Sequence, residues 1–344
     1  MLPDSSPPPR RPSPSRTTWL GLPGTLPVLH AVSERIRPHI RETPLVRCPP
    51  LDLPGSPVWI KDETRQETGS FKLRGAAAML TGLTPAEAEL GVVTCSSGNH
   101  GRAVAWMAAR LGIPATIFVP DWVDPVKLAA IREAGAEAVL AGGSYDEAEA
   151  AATAFAAERR RVLVPPFDHP AVIAGQGSVA LEVLDQLPTT ARILVPLSGG
   201  GLVAGIGLAL RERRSDAELV AVSAHHARVM RASLEAGRPV ELPEEPTLAG
   251  ALAGGIGMEN RWTLPLVDRL VDRHLEVDEE SIARAMAFLF RKADIRAEGG
   301  GAVGVAALLE GGRIHQESFT GPTVVIVSGG NVDPAVLTRV LADS

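Results

Sequence analysis

The sequence predicts an α/β protein built on parallel sheets. Short Val/Ile/Leu runs alternate with Ala-rich amphipathic stretches from about Trp19 onward. Each strand-plus-helix unit lasts roughly 20–30 residues, the rhythm of crossovers between parallel strands. Glycine-rich turns follow several strands, at the carboxyl ends where such folds bind ligands.

In chain order, GVVTC (91–95) reads as a strand, because an unbroken apolar run suits a strand covered on both faces. Residues 103–111 read as a helix, ATIFVP (115–120) as a strand and 125–134 as a helix. EAVLAG (137–142) is a strand, 145–158 a helix, and RVLVPP (161–166) closes the group. A second series runs helix 174–187, strand 192–197, helix 202–213, strand 218–223. Helices at 279–292 and 302–310 and a strand at 323–328 complete the reading. No solenoid-length repeat occurs. The segments flanking the first group can pair with each other. The expected organisation is a small α/β domain, 80–165, inserted into a larger one made of 19–79 and 166–344, with a cleft between them. Residues 1–18, rich in proline and serine, are expected to be disordered.

Composition narrows the function. With 34 basic and 40 acidic residues the net charge is −6, and no basic cluster outweighs the acids, so nucleic acid and anionic membranes are not expected partners. Aromatics, at 4%, are too few for base-stacking surfaces. Only four lysines occur, Lys61, Lys72, Lys127 and Lys292, so lysine chemistry has four candidates. Cys48 and Cys95 form no CxxC motif and read as reduced thiols of a cytoplasmic protein. Arg10-Arg11 mimics a twin-arginine signal, but prolines interrupt the apolar stretch that follows. The longest uncharged run, 193–210, holds Pro196 and five glycines and reads as strand, turn and helix rather than a membrane span.

Four segments combine small residues with polar groups. In KDETRQETGSFKLRGA (61–76), Lys72 lies between Gly69-Ser70-Phe71 and Gly75-Ala76, so another molecule can approach it closely. A desolvated lysine is a usable base and nucleophile; a solvated helix lysine is the ordinary alternative. In SSGNHG (96–101), amides at a helix start suit a carboxylate, and Asn99 adds a donor. His100 is either a base or a helix-start histidine in a structural hydrogen bond. In ILVPLSGGGLVAG (193–205), Gly199-Gly200-Gly201 can cradle a phosphate. No Gly-Lys dipeptide occurs, so this is not a nucleoside-triphosphate loop. Gly199, Gly201 and Ala204 match a dinucleotide fingerprint, which motivates an NAD-dependent dehydrogenase as a reading of another class. Against it, the next strand ends in Ser223-Ala224 with no acid to hold a ribose. In VVIVSGGNVD (324–333), a strand delivers Ser328, whose hydroxyl can bond a ring nitrogen without protonating it. GxSxG and HExxH are absent, and the adjacent His225-His226 read as non-ligands. Arg65, Arg74 and His169 are compatible with surface positions.

Together GSFKLRGA, SSGNHGRAVAWMAARLGIPA, PPFDHPAVIAGQGSVALEVLDQ, SGGGL and VSGGNVD resemble the threonine/serine dehydratase family of fold-type II pyridoxal 5′-phosphate enzymes, in order from about Arg41 to Asp333. VPLSGGGLVAG, VMRASLEAGRPVE, GGIGMENRWT and AEGGGAVGVAALL resemble its hydroxyectoine-utilisation dehydratase branch. The resemblance implies a tryptophan synthase β-like fold, with two three-layer domains and the active site in the cleft between them. It implies Lys72 as the internal-aldimine lysine and Ser97 as the acid/base on the opposite cofactor face in racemising members. Phe71, Asn99, Ser198, Gly199, Gly200, Gly201, Leu202 and Ser328 would bind cofactor. Ser96, Ser97, Gly98, Asn99 and His100 would bind substrate. Ser223 and Ala249-Gly250-Ala251 depart from the family's divalent-cation pattern, so no metal is expected. Glu298 resembles the family's late glutamate. The chain ends soon after the last motif, so no C-terminal regulatory domain is expected. The implied activity is an ammonia-lyase acting on a small β-hydroxy amino acid in a cytoplasmic homodimer. Racemisation is the nearest rival, and a non-catalytic binding protein is disfavoured by the intact Lys72.

Overall fold

A computed structural model describes residues 28–309, 314 and 319–343, so segment 1–18 lies outside the described residues. The chain opens with α1 (Leu29–Ile36), β1 (Leu45–Arg47), β2 (Val58–Asp62), α2 (Lys72–Leu80) and α3 (Pro85–Leu90). There follow β3 (Val92–Cys95), α4 (Asn99–Leu111), β4 (Ala115–Val119), α5 (Pro125–Glu133), β5 (Glu137–Leu140), α6 (Tyr145–Arg159) and β6 (Val162–Leu163). Then come α7 (Pro170–Gln186), β7 (Arg192–Pro196), α8 (Gly201–Glu212), β8 (Glu218–Ala224), α9 (Val229–Ala236) and α10 (Thr263–Leu270). The last elements are β9 (Arg273–Val277), α11 (Glu279–Ala293), α12 (Gly299–Ala306), β10 (Thr323–Val327) and α13 (Pro334–Asp343).

Two sheets result. The larger has strand order β1-β2-β10-β7-β8-β9, and the smaller β5-β4-β3-β6. All neighbours are parallel except the edge pair β1–β2. The chain lays down β1 and β2, completes the small sheet, then returns to insert β10 between β2 and β7.

Period-two alternation sorts the larger sheet's side chains into two cores. Ile193, Val195, Val324 and Ile326 pack with α1, α2, α7 and α8. Leu194, Val220, Val325 and Val327 pack with α11, α12 and α13 on the other face. Helices cover both faces, so β4, β7 and β10 are buried throughout. In the small sheet, Val92 joins the first core while Val93 and Phe118 pack under Ala152 and Ala156 of α6.

Local chemistry sets the helix starts. Thr84 and Glu87 form a capping box on α3, and Ser144 and Asp278 cap α6 and α11. Strand 161–166 shortens to Val162–Leu163, and three helices differ from the sequence reading by three residues or more. Helix α4 starts at Asn99 rather than 103, α7 at Pro170 rather than 174, and α12 spans Gly299–Ala306 rather than 302–310. His169 Nδ1 accepts from the Ala171 amide, and Pro170 at the first helical position needs no donor, so α7 starts early. No described helix is long and apolar enough to cross a membrane.

Candidate active site

The segment before α2 pairs with the segment after β10. The Phe71 amide donates to Ser328 O at 3.0 Å, and the Gly330 amide donates to Gly69 O at 2.9 Å. Gly69 sits at φ +76°, and a Cβ there would lie 2.5 Å from Asn331 Oδ1, so only glycine fits. This clasp sets Lys72, the first residue of α2, beside Ser328. Lys72 Nζ donates to Pro166 O at 2.8 Å and lies 5.3 Å from the Phe71 ring centroid. Part of the Lys72 side chain touches solvent, yet protein crowds its amino group. That desolvation lowers its pKa to about 8, against the opposing pull of Glu298.

Pro166 also leads to the glycine loop. The next residue, Phe167, packs its ring against Gly199, where a Cβ would lie 2.3 Å from a ring carbon, and its backbone against Gly201. Gly200 turns the chain at φ +84°, and no side chain caps the α8 amides that follow. Uncapped first-turn amides favour an anion. Ser198 Oγ donates to Leu252 O at 2.9 Å, so its hydrogen is already engaged. The Leu202 side chain is buried in the core, which leaves only its amide for a ligand. Asp168 accepts from the amides of Arg261, Trp262 and Thr263 and ties this segment to α10.

The loop between β3 and α4 forms the opposite wall. The Gly98 amide donates to Ser96 Oγ at 3.2 Å, and nothing lies within 4 Å of a Cβ built on Gly98, so the loop has open space in front of it. Asn99 Nδ2 donates to Glu298 Oε1 at 2.6 Å, and Asn99 Oδ1 accepts from Asn331 Nδ2 at 2.6 Å. Burial raises the Glu298 pKa to about 7, partly offset by Asn99 and Lys72. His100 turns inward: its Nε2 meets Val164 O at 2.9 Å, and burial, then Lys72, hold its pKa at about 3. Of the two readings for His100, the structural hydrogen bond is the one seen. Ser97 Oγ bonds Tyr145 Oη. Ser223 Oγ donates to Leu197 O, leaving no acid at the end of β8 to hold a ribose.

Arg74 requires a correction. It is fully buried rather than on the surface, two residues beyond Lys72. Its guanidinium bonds Glu63 and Glu182, and Glu182 also takes Lys61 Nζ at 2.6 Å. The sequence signal was available: an arginine amid Leu73, Gly75, Ala76 and Ala77 must bring partners to a buried helix face. Arg65 is exposed beside Asp62, and His169 is half-buried. Sequence reasoning also missed Tyr145, Asn331 and Pro166.

These contacts bring together an amine of lowered pKa, uncapped helix amides with a left-handed glycine, and a strand-end serine. That set fits a phosphorylated pyridine aldehyde. The chain matches the pyridoxal-phosphate-dependent enzyme family over residues 36–329. It is 40% identical over 321 residues to an L-threonine ammonia-lyase of Geobacter sulfurreducens, covering 93% of this chain and 78% of that protein. The structure resembles maize serine racemase with a TM-score of 0.84 and 33% identity, covering 92% and 96% of the two chains. It also resembles the processed form of threonine deaminase isoform 2 from Solanum lycopersicum with a TM-score of 0.83 and 30% identity, covering 93% and 97%.

Proposed function

Because the chain belongs to the family of pyridoxal-phosphate-dependent enzymes, we propose that it is a threonine/serine-type dehydratase, eliminating water from a small β-hydroxy amino acid to give a 2-oxo acid and ammonia. The observation that carries this reading is Lys72, an amine with a pKa of about 8 at the meeting point of the glycine loop, the Ser96–His100 loop and Ser328. When bound, the cofactor supplies an electron sink for charge at the substrate α-carbon, and a hydroxyl partner keeps its ring neutral. The chain supplies the rest. Amides of residues 199–202 would hold the phosphate, and Ser328 would serve as the hydroxyl partner of the ring nitrogen. Phe71 and Asn99 complete the cofactor's surroundings. The 96–100 loop would orient the substrate carboxylate through its remaining amides, since those of Ser96 and Gly98 already donate to Phe118 O and Ser96 Oγ. Lys72 Nζ accepts the α-proton, since its lowered pKa leaves a useful fraction unprotonated near neutral pH.

The substrate panel follows from the same reading: threonine, serine, threo-3-hydroxyaspartate and a hydroxyectoine-derived amino acid. The last rests on resemblance to the hydroxyectoine-utilisation branch, as the homodimer and cytoplasmic location rest on the family. A 2-oxo-acid assay of the cofactor-loaded protein over this panel, with and without magnesium, is expected to show turnover of at least one member. No product from any of them would sink the proposal.

Racemisation by the same site is the second reading, favoured by the Ser97 hydroxyl in the substrate loop. Chiral analysis of recovered substrate separates it from elimination.

A further inference from the structure

We propose that Tyr145 is a positioning residue for Ser97, fixing the direction in which the Ser97 hydroxyl donates into the substrate loop. This rests on the reading of residues 96–100 as the loop that takes the substrate carboxylate. The structural basis is a corner where the loops after β3, β4 and β5 meet, all at the carboxyl edge of the small sheet.

Ser97 lies in the first loop, Trp122 in the second, and Tyr145 opens α6 after the third. Trp122 Nε1 donates to Gly143 O at 3.0 Å, and the Asp121 amide donates to Gly142 O at 2.9 Å. The two aromatic rings meet edge to face, 5.5 Å apart at 88°. Ser144 Oγ accepts from the Glu147 amide, which fixes the first turn of α6 and the backbone from which Tyr145 projects. Tyr145 is nonetheless 41% exposed and Trp122 61% exposed. Rings so exposed contribute little by burial, so what the corner achieves is direction: it holds the phenol against Ser97 Oγ.

The chemistry of the pair sets its polarity. A phenol is more acidic than an aliphatic hydroxyl and is the better donor. Tyr145 therefore donates and Ser97 Oγ accepts, which leaves the Ser97 hydrogen for an outside acceptor. In a loop that otherwise presents amides, that acceptor is a carboxylate oxygen.

Tyr145→Phe removes the hydroxyl and keeps the ring against Trp122. In the holoenzyme with L-threonine, it is expected to raise KM about three- to tenfold with kcat within about twofold. Ser97→Ala should raise KM at least as far, and the double variant should be no worse than Ser97→Ala alone, because the two act through one hydrogen bond. A second readout needs neither cofactor nor turnover. Tyr145 is the chain's single tyrosine, so protein labelled with 13C at tyrosine Cζ gives one resonance, which Ser97→Ala should shift. An unmoved resonance, or KM effects that multiply in the double variant, would overturn the proposal. If the wild type turns over no member of the substrate panel, the functional reading fails while the resonance still decides the Ser97–Tyr145 pairing.

Discussion

Asn99 Nδ2 and Glu298 Oε1 lie 2.6 Å apart, although 199 positions separate the two residues in the chain. The contact joins the first turn of α4, which follows the small sheet, to the residue before α12, which packs on the larger one. Asn331 extends it. Its Nδ2 donates to Asn99 Oδ1 and to Thr68 O, and its Oδ1 accepts from Arg102 Nη1 at 3.0 Å. The loop between β3 and α4 is thereby tied to the segment that carries Lys72.

Glu298 should make stability depend on pH. Its pKa is raised from 4.5 to about 7 in the folded protein, so the folded state keeps a proton that the unfolded chain has released. The protonated group's contribution is fully present below about pH 4.5 and is lost as pH rises through about 7. Glu298→Gln keeps an acceptor for Asn99 and cannot ionise. Between pH 5 and pH 8, wild-type unfolding free energy in urea should fall by on the order of 1–3 kcal/mol more than that of the variant. Identical pH profiles for the two proteins would contradict the assignment.

Lys72 should carry the cofactor. Borohydride reduction of the loaded protein followed by peptide mapping is expected to label Lys72 alone. Lys61 is held by Glu182, Thr43 O and Gln186, and Lys127 and Lys292 are exposed. Lys72→Ala should lower elimination by about a thousandfold or more and abolish the label. A label on any other lysine would refute the placement.

The buried ion cluster should be costly to break from the arginine side. Arg74→Ala leaves Glu63 without a guanidinium partner and Glu182 with Lys61 as its one cation beside the Thr43 amide. A loss of about 3–5 kcal/mol in chemical denaturation is expected. Lys61→Met should lose less, because Glu182 keeps both of its bonds to Arg74. Equal losses would show that the cluster does not depend on Arg74.

Gly199→Ala should displace Phe167. The added Cβ would lie 2.3 Å from the ring of Phe167, the residue that follows Pro166, the acceptor for Lys72. A stability loss of about 1–3 kcal/mol is expected, together with weaker pyridoxal-phosphate binding by spectroscopic titration. Wild-type affinity in the variant would show that Phe167 has room to move.

The central strands were legible because covering helices force unbroken apolar runs, as in β4, β7 and β10. The edge strand β9, RHLEV, alternates polar and apolar residues and escaped the reading. The first turn of α12 escaped for another reason. Gly299-Gly300-Gly301 has the propensity of a turn, yet it is helical. A Cβ on Gly299 would lie 2.2 Å from Leu248 O, and one on Gly301 2.6 Å from Gly329 O. The glycines serve close backbone approach there, and tertiary packing overrides propensity. Gly101 is the same case in α4, with a Cβ 2.0 Å from Ser96 O.

The sequence by itself determined the parallel α/β class and the glycine-rich strand ends, and it singled out Lys72 as a candidate among four lysines. These are local properties, written in apolar periodicity and in residues adjacent along the chain. Only the tertiary structure decided that Arg74 is buried between Glu63 and Glu182, that His100 turns to Val164, and that Glu298 reaches Asn99. The first and third depend on the chain leaving the larger sheet and returning to it, and the second on β6 pairing beside β3 in the small sheet. The shifted pKa values of Lys72 and Glu298 depend further on desolvation, which every surrounding element contributes to and no short segment encodes.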